Sequence, residues 1–287
     1  MQTKLKILAY WELAKPRILF MSLLTLILGF WMGGETHSLS KLLFTLLGST
    51  LCFAGSASLN HYLERDLDSL MERTKNRPIQ RGVVSPTDVL LFGITSVLFG
   101  ILILVLKVNL MTGFLALLTA FLYVFVYTPL KPLTWWNTTI GAIPGALPPL
   151  IGSAASTDGH LAIYGYFLFL VIFLWQHPHF YSIAWMYQED YRKAGFQMLS
   201  VVDPQKSTLF SQITIYSLAL LGVSLLPCWV GHFGKTYLCG ALLIGTLLVA
   251  QGLVLQKRKS LLDAKRYLKA TVIYLPILLI LMVADGF

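Results

Sequence analysis

Charge is what this chain has least of. Only 12% of its 287 residues are Asp, Glu, Lys or Arg, against 56% hydrophobic, and its mean hydropathy is +0.70. Such values lie far outside the range of soluble domains. Cysteine is scarcer still: Cys52, Cys228 and Cys239 form no C-x-x-C pair and no Cys/His spacing, which removes a thiol metal site and leaves them as packing residues. A cleavable signal is also missing, because an amphipathic lead of seventeen residues containing Trp11, Glu12 and Pro16 precedes an apolar run long enough to span. The first span should therefore stay in place. The lead is too short and too poor in arginine and serine for an organelle transit peptide, which points to a bacterial inner membrane.

What the chain has instead is apolar length. Stretches of roughly spanning size occur at about 18–34, 40–62, 89–106, 109–128, 137–155, 162–184, 208–231, 236–255 and 268–285, predicting an all-α polytopic protein with nine transmembrane helices. Residues 1–17 form a cytoplasmic lead and 18–287 a single transmembrane domain. Of the 22 basic residues, all but Lys41, Lys107 and Lys235 fall on one side of these spans. That asymmetry predicts a cytoplasmic N-terminus and a periplasmic C-terminus, which requires an odd number of spans. A basic face beside anionic membrane lipid accounts for the net charge of +9 without a nucleic acid partner.

The charge that does occur is concentrated. Residues 60–81 read NHYLERDLDSLMERTKNRPIQR, an island directly after the second span. Asn60, Glu64 and Asp68 recur every four positions, so on a helix they stack along one face as a ladder of oxygen donors. Oxygen-only ligands suit Mg²⁺. Arg73, Lys75, Arg77 and Arg81 follow closely and would meet the anionic oxygens of a diphosphate bridged by that cation. The bland alternative is a solvated helix end balanced by its arginines, but an asparagine at the membrane boundary is costly without a partner.

A second acidic pair, Glu189 and Asp190 with Lys193, follows the sixth span and shares the cytoplasmic side; across one cavity it would face the first cluster. Adjacent helical residues diverge by about 100°, so one of the pair, Asp190, is expected to face inward. The fourth and fifth spans are joined by a rigid Pro-containing turn carrying Lys131. The fifth span holds Gly141, Pro144, Gly145, Pro148, Pro149 and Gly152, and a broken helix of that kind lines a cavity or packs tightly against a neighbour. Within the sixth span Trp175, His177, Pro178 and His179 place two imidazoles in apolar surroundings, where a cavity-facing role competes with that of a packed core histidine. His37, His160 and His232 sit in outer loops and carry no case.

These residues resemble the UbiA superfamily of intramembrane prenyltransferases. Its first acidic motif, N-D-x-x-D-x-x-x-D, is matched at Asn60, Glu64 and Asp68, with His61 in the second position and glutamate as the middle acid; its second acidic motif is compressed here to Glu189-Asp190. The stretches Arg73-Thr-Lys-Asn-Arg77-Pro78, Tyr127-Thr-Pro-Leu-Lys131 and Pro178-His179-Phe180 are similar to the heme-prenylating branch. The resemblance runs from about residue 15 to 275. It implies nine helices around a central cavity open to the cytoplasm and to lipid. It implies transfer of the farnesyl group of farnesyl diphosphate to a vinyl group of heme b, with water addition, giving heme O. Mg²⁺ would be held by Asn60, Glu64, Asp68, Glu189 and Asp190. Diphosphate would be held by Arg73, Lys75, Arg77, Arg81, Lys131 and Lys193. Heme b would be a substrate rather than a cofactor, seated by Trp175, His177 and His179, and a heme A synthase or oxidase assembly factors would be partners. The rival readings are a relative that prenylates a quinone precursor and, in a different class, a secondary transporter, which would place its acids near mid-membrane.

Overall fold

A computed structural model describes residues 2–34, 38–229 and 233–285; His37 and His232 lie outside them. The described residues form helices joined by turns and loops, without strands, and pack as two units. The first unit comprises Met1–Phe169 with Lys193–Phe196. Its helices are α1 (Gln2–Leu13), α2 (Pro16–Gly33), α3 (Leu39–Leu63), the single turn α4 (Arg65–Asp68), α5 (Pro86–Lys107), α6 (Leu110–Phe121), α7 (Thr128–Leu130), α8 (Asn137–Ala146) and α9 (Pro148–Ser156). The second unit comprises Leu170–Arg192 and Gln197–Phe287. It holds most of α10 (Ile163–Met186), with α11 (Gln188–Lys193), α12 (Leu199–Val202), α13 (Ser207–Trp229), α14 (Lys235–Arg258) and α15 (Leu261–Asp285).

Local sequence explains where these helices begin. The side chains of Ser38, Ser85 and Asn109 accept the backbone N–H groups of Lys41, Asp88 and Thr112, capping α3, α5 and α6. Pro86 adds a preset φ at the first turn of α5. Eight helical segments are long and apolar enough to cross a membrane. Leu98, Phe99, Leu106, Leu243 and Ile280 present large apolar side chains outward along them, an arrangement that only lipid satisfies. The protein is a multi-pass membrane protein.

The ninth predicted stretch is present but not continuous. Pro148 and Pro149 have no N–H to offer the carbonyls four residues back, so the helix breaks at Leu147 into α8 and α9. The short α9 lies so close to α2 that a Cβ on Gly29 would sit 2.0 Å from the Pro149 carbonyl oxygen, and one on Gly152 would sit 1.9 Å from that of Leu26. Only glycine fits either place. Leu26, Cys52, Leu104, Ala116, Ile151 and Ala154 fill the core around this contact and are fully buried, as the packing role expected of Cys52 requires.

Two departures from regular helix position the polar residues of the first unit. After α6 the chain makes a π turn over Leu122–Tyr127, in which the Thr128 N–H reaches the Tyr123 carbonyl five residues back. At the other, α3 ends at Leu63 and Glu64 takes φ −90° and ψ 2° before α4 starts. In the second unit, hydroxyl pairs join α13 to α15: Ser217 with Tyr267 at 2.6 Å and Ser224 with Tyr274 at 2.8 Å.

Candidate functional site: a buried charge cluster at the end of α3

Asn60, Glu64 and Asp68 keep their four-residue stacking across the helix break. The Glu64 N–H donates to Asn60 O at 3.0 Å and the Asp68 N–H to Glu64 O at 2.7 Å, so the ladder continues although α3 itself stops. All three are buried, with relative exposures of 0%, 4% and 1%. A solvated helix end is thereby excluded, and each buried carboxylate needs a partner.

The partners come from distant parts of the first unit. Lys131, just past α7, donates from Nζ to Glu64 Oε1 at 2.5 Å and lies over the Tyr127 ring at 4.7 Å. Arg77 donates to Asp68 Oδ2. The loop that delivers Arg77 is anchored by Thr74, whose hydroxyl donates to Asp68 O at 2.7 Å. Lys15 reaches in from the start of α2, donating from Nζ to Asn60 Oδ1 at 2.6 Å and to the Tyr123 hydroxyl at 3.1 Å. Asn60 Nδ2 in turn donates to Thr128 Oγ1 at 3.0 Å. The π turn is what puts Tyr123 and Thr128 both within reach.

Three cations thus surround two carboxylates. Burial alone would raise the Glu64 carboxyl, but Lys131 and then Lys15 outweigh it and hold it below the usual range. Asp68 goes the other way: burial raises it more than Arg77 lowers it, and neighbouring Glu64 adds to the rise. Lys131 is raised despite burial because Glu64 sits on it. For Lys15, burial, Arg77 and Lys131 together bring the ammonium down to about 7. It also carries a left-handed backbone, φ 52° and ψ 63°, unusual for a residue with a side chain. Excess positive potential beside two buried acids is an arrangement that can receive a polyanion.

Among the described residues no three His, Cys, Asp or Glu side chains are grouped to hold a metal ion. The donors present are nevertheless of the right kind. Asp68 Oδ1 is buried and accepts no hydrogen bond, and with the Glu64 carboxylate it offers hard oxygens to a divalent cation. The amide oxygen of Asn60 is engaged by Lys15. His61, in the position of the motif's missing acid, is buried with Nε2 unpaired.

Lys75 and Arg81 of the island are engaged elsewhere. Lys75 pairs with Glu72 and Arg81 with Glu12, both at 2.5 Å and exposed; Arg73 and Lys193 are exposed as well. In the second unit Glu189 is exposed and pairs with Arg192 at 2.6 Å, while Asp190 is half-buried. The sequence marks Lys15 only as a topology signal and gives Thr128 no role of its own.

The histidines of α10 have neutral partners. His177 is fully buried, stacks on Tyr216 with ring centres 3.8 Å apart, and bonds the Phe173 carbonyl through Nδ1 at 2.8 Å. His179 is half-buried, stacks on Trp175 at 4.6 Å and meets Thr271 Oγ1 through Nδ1 at 2.9 Å.

Comparison with known proteins places this geometry in context. A model of the UbiA prenyltransferase family matches residues 22–274. The chain is 43% identical over 286 residues to a protoheme IX farnesyltransferase of Solibacter usitatus, covering 96% of this chain and 98% of that one. A solved digeranylgeranylglyceryl phosphate synthase shares the fold with a TM-score of 0.82 at 18% identity, covering 98% of each chain. A UbiA homolog from Archaeoglobus fulgidus, bound to GPP and Mg²⁺, aligns with a TM-score of 0.67 at 17% identity, over 96% of this chain and 99% of that one.

Proposed function

This chain belongs to the UbiA prenyltransferase family, and we propose that it transfers the farnesyl group of farnesyl diphosphate to a vinyl group of protoheme IX, giving heme O and diphosphate. The observation that carries this reading is the identity of 43% over nearly the whole of both chains to a protoheme IX farnesyltransferase. The charge cluster at the end of α3 supplies the chemistry it needs. The setting is a bacterial inner membrane with the cluster on the cytoplasmic side, a reading supported by the distribution of basic residues.

Diphosphate binds at Arg77, Lys131 and Lys15. On its arrival these cations exchange part of their bonding to Asp68, Glu64 and Asn60 for phosphate oxygens, and Lys15 regains its full charge. Glu64 and Asp68 would hold Mg²⁺, which would supply further neutralisation of the diphosphate oxygens. As the allylic C–O bond ionises, negative charge grows on the leaving diphosphate. The Arg77 fork and the two ammonium groups are already in place to stabilise it, without reorganisation. The terminal carbon of the heme vinyl group attacks the allylic cation, leaving a carbocation next to the macrocycle. Water adds there and loses a proton, so the product carries a hydroxyethylfarnesyl group. In the second unit Trp175 and His179 receive the porphyrin.

The test is direct. Purified protein in detergent, given heme b, farnesyl diphosphate and Mg²⁺, should yield a pigment with the mass of heme O. Prenylation of 4-hydroxybenzoate or a naphthoate with no heme product would move the chain to the quinone branch of its family.

A further inference from the structure

Thr271 of α15 is fully buried, yet it bonds two side chains of α10 one turn apart. Its carbonyl accepts the Trp175 indole N–H at 2.7 Å, and its hydroxyl oxygen lies 2.9 Å from His179 Nδ1. The Thr271 hydroxyl also lies 2.7 Å from the Leu268 carbonyl oxygen, and donating its one hydrogen there leaves it only a lone pair for His179. In that arrangement His179 Nδ1 carries the proton. Its neighbours are Thr271, Trp175 and Phe180, with no carboxylate among them to hold a second proton. The ring is then the neutral Nδ1–H tautomer, and Nε2 is left with a bare lone pair and no hydrogen-bond partner among the described residues. Trp175, itself held by Thr271, lies against the ring at an interplanar angle of 23° and fixes its plane. His177 offers no such opening, being fully buried against Tyr216.

We propose that Thr271 is a positioning residue that locks His179 in the Nδ1–H tautomer, so that Nε2 presents its lone pair to the iron of the porphyrin acceptor. An imidazole ligand oriented by a hydrogen bond to its other nitrogen is the general arrangement for metal-bound histidine. This inference rests on the heme reading above, and its test separates the two. In ¹⁵N-histidine-labelled protein without ligand, the His179 signals, assigned by their loss in His179→Gln, should show a protonated Nδ1 and an unprotonated Nε2. Thr271→Val removes the acceptor at nearly the same volume and should shift His179 toward the other tautomer. The same variant should weaken ferric heme binding about tenfold and alter the Soret band. Thr271→Ser keeps the hydroxyl and should restore both. A protonated Nε2 in the native protein overturns the proposal without recourse to any variant. An unchanged heme spectrum and affinity in Thr271→Val, in protein that still makes heme O, overturns it while leaving the activity standing. Failure of the native protein to bind heme at all overturns the iron assignment together with the heme reading, even if the tautomer is as stated.

Discussion

At the C-terminal end of α3 five charged side chains, Lys15, Glu64, Asp68, Arg77 and Lys131, are drawn together in buried surroundings. Along α10, by contrast, there is no Asp, Glu, Lys or Arg from Ile163 to Met186, and the polar groups are neutral rings tied to a hydroxyl and to carbonyls. Both regions hold polar atoms where water is scarce, and the difference lies in how each is satisfied. Charges paired with charges can re-pair when a polyanion arrives, because every cation freed from a carboxylate finds a phosphate oxygen. A neutral ring such as His179, bonded through Nδ1, can offer its other nitrogen to the metal of an apolar macrocycle. On the function proposed above, the first region would take the diphosphate half of the substrate pair and the second the porphyrin half.

The comparison breaks most sharply at the acids. Glu64→Gln and Asp68→Asn keep size but remove the charge that positions Lys131 or Arg77 and would hold Mg²⁺. Each should slow turnover on the order of a hundredfold or more, about 3 kcal/mol of barrier, in steady-state assays. Heme binding should be unaltered. Near-normal turnover in both variants, with the protein folded, would strip the cluster of a catalytic role.

Lys15 comes next. A base whose value is lowered to about 7 is part neutral at pH 7 and becomes charged only as pH falls, so a bound diphosphate pulls a proton onto it. Affinity for farnesyl diphosphate should then weaken as pH rises above about 7, by up to tenfold per unit, when measured by calorimetric titration. Lys15→Gln should lose about tenfold at pH 6 and flatten that slope. A slope equal to that of the native protein would place the titrating group elsewhere.

Arg77→Lys keeps the charge and loses the planar fork; a several-fold rise in the dissociation constant for farnesyl diphosphate is expected, with membrane orientation unchanged by protease protection. Smallest of all should be Lys75→Ala and Arg81→Ala. Their exposed ion pairs are worth about 0–1 kcal/mol, and diphosphate affinity within twofold of native is the expected result. A large loss in either would mean that the loop turns inward on binding.

How much of this was legible in the chain depends on the range of the interaction. The spans, the break at Pro148-Pro149 and the acid ladder rest on spacings of a few residues, and each could be read directly. The five basic residues of the island looked alike because nothing local separates Arg77 from Arg73 or Arg81. The Thr74 anchor to Asp68 O, a property of the folded loop, is what turns Arg77 inward. Lys15 was hidden more deeply. Its partners lie 45 and 108 residues away, and its inward reach depends on a left-handed backbone that the sequence does not announce. Asn60 read as a metal ligand from its spacing, whereas its amide oxygen is occupied by that same lysine.

The assignment of one ligand to each region is tested most directly by a crossed titration. Farnesyl diphosphate and ferric heme would be titrated separately into native protein, Asp68→Asn and His179→Ala, with folding checked by circular dichroism. The account predicts that Asp68→Asn loses affinity for the diphosphate and keeps the native heme spectrum, while His179→Ala loses heme affinity and keeps diphosphate binding. Loss of both ligands by either folded variant, or of neither by both, would contradict it.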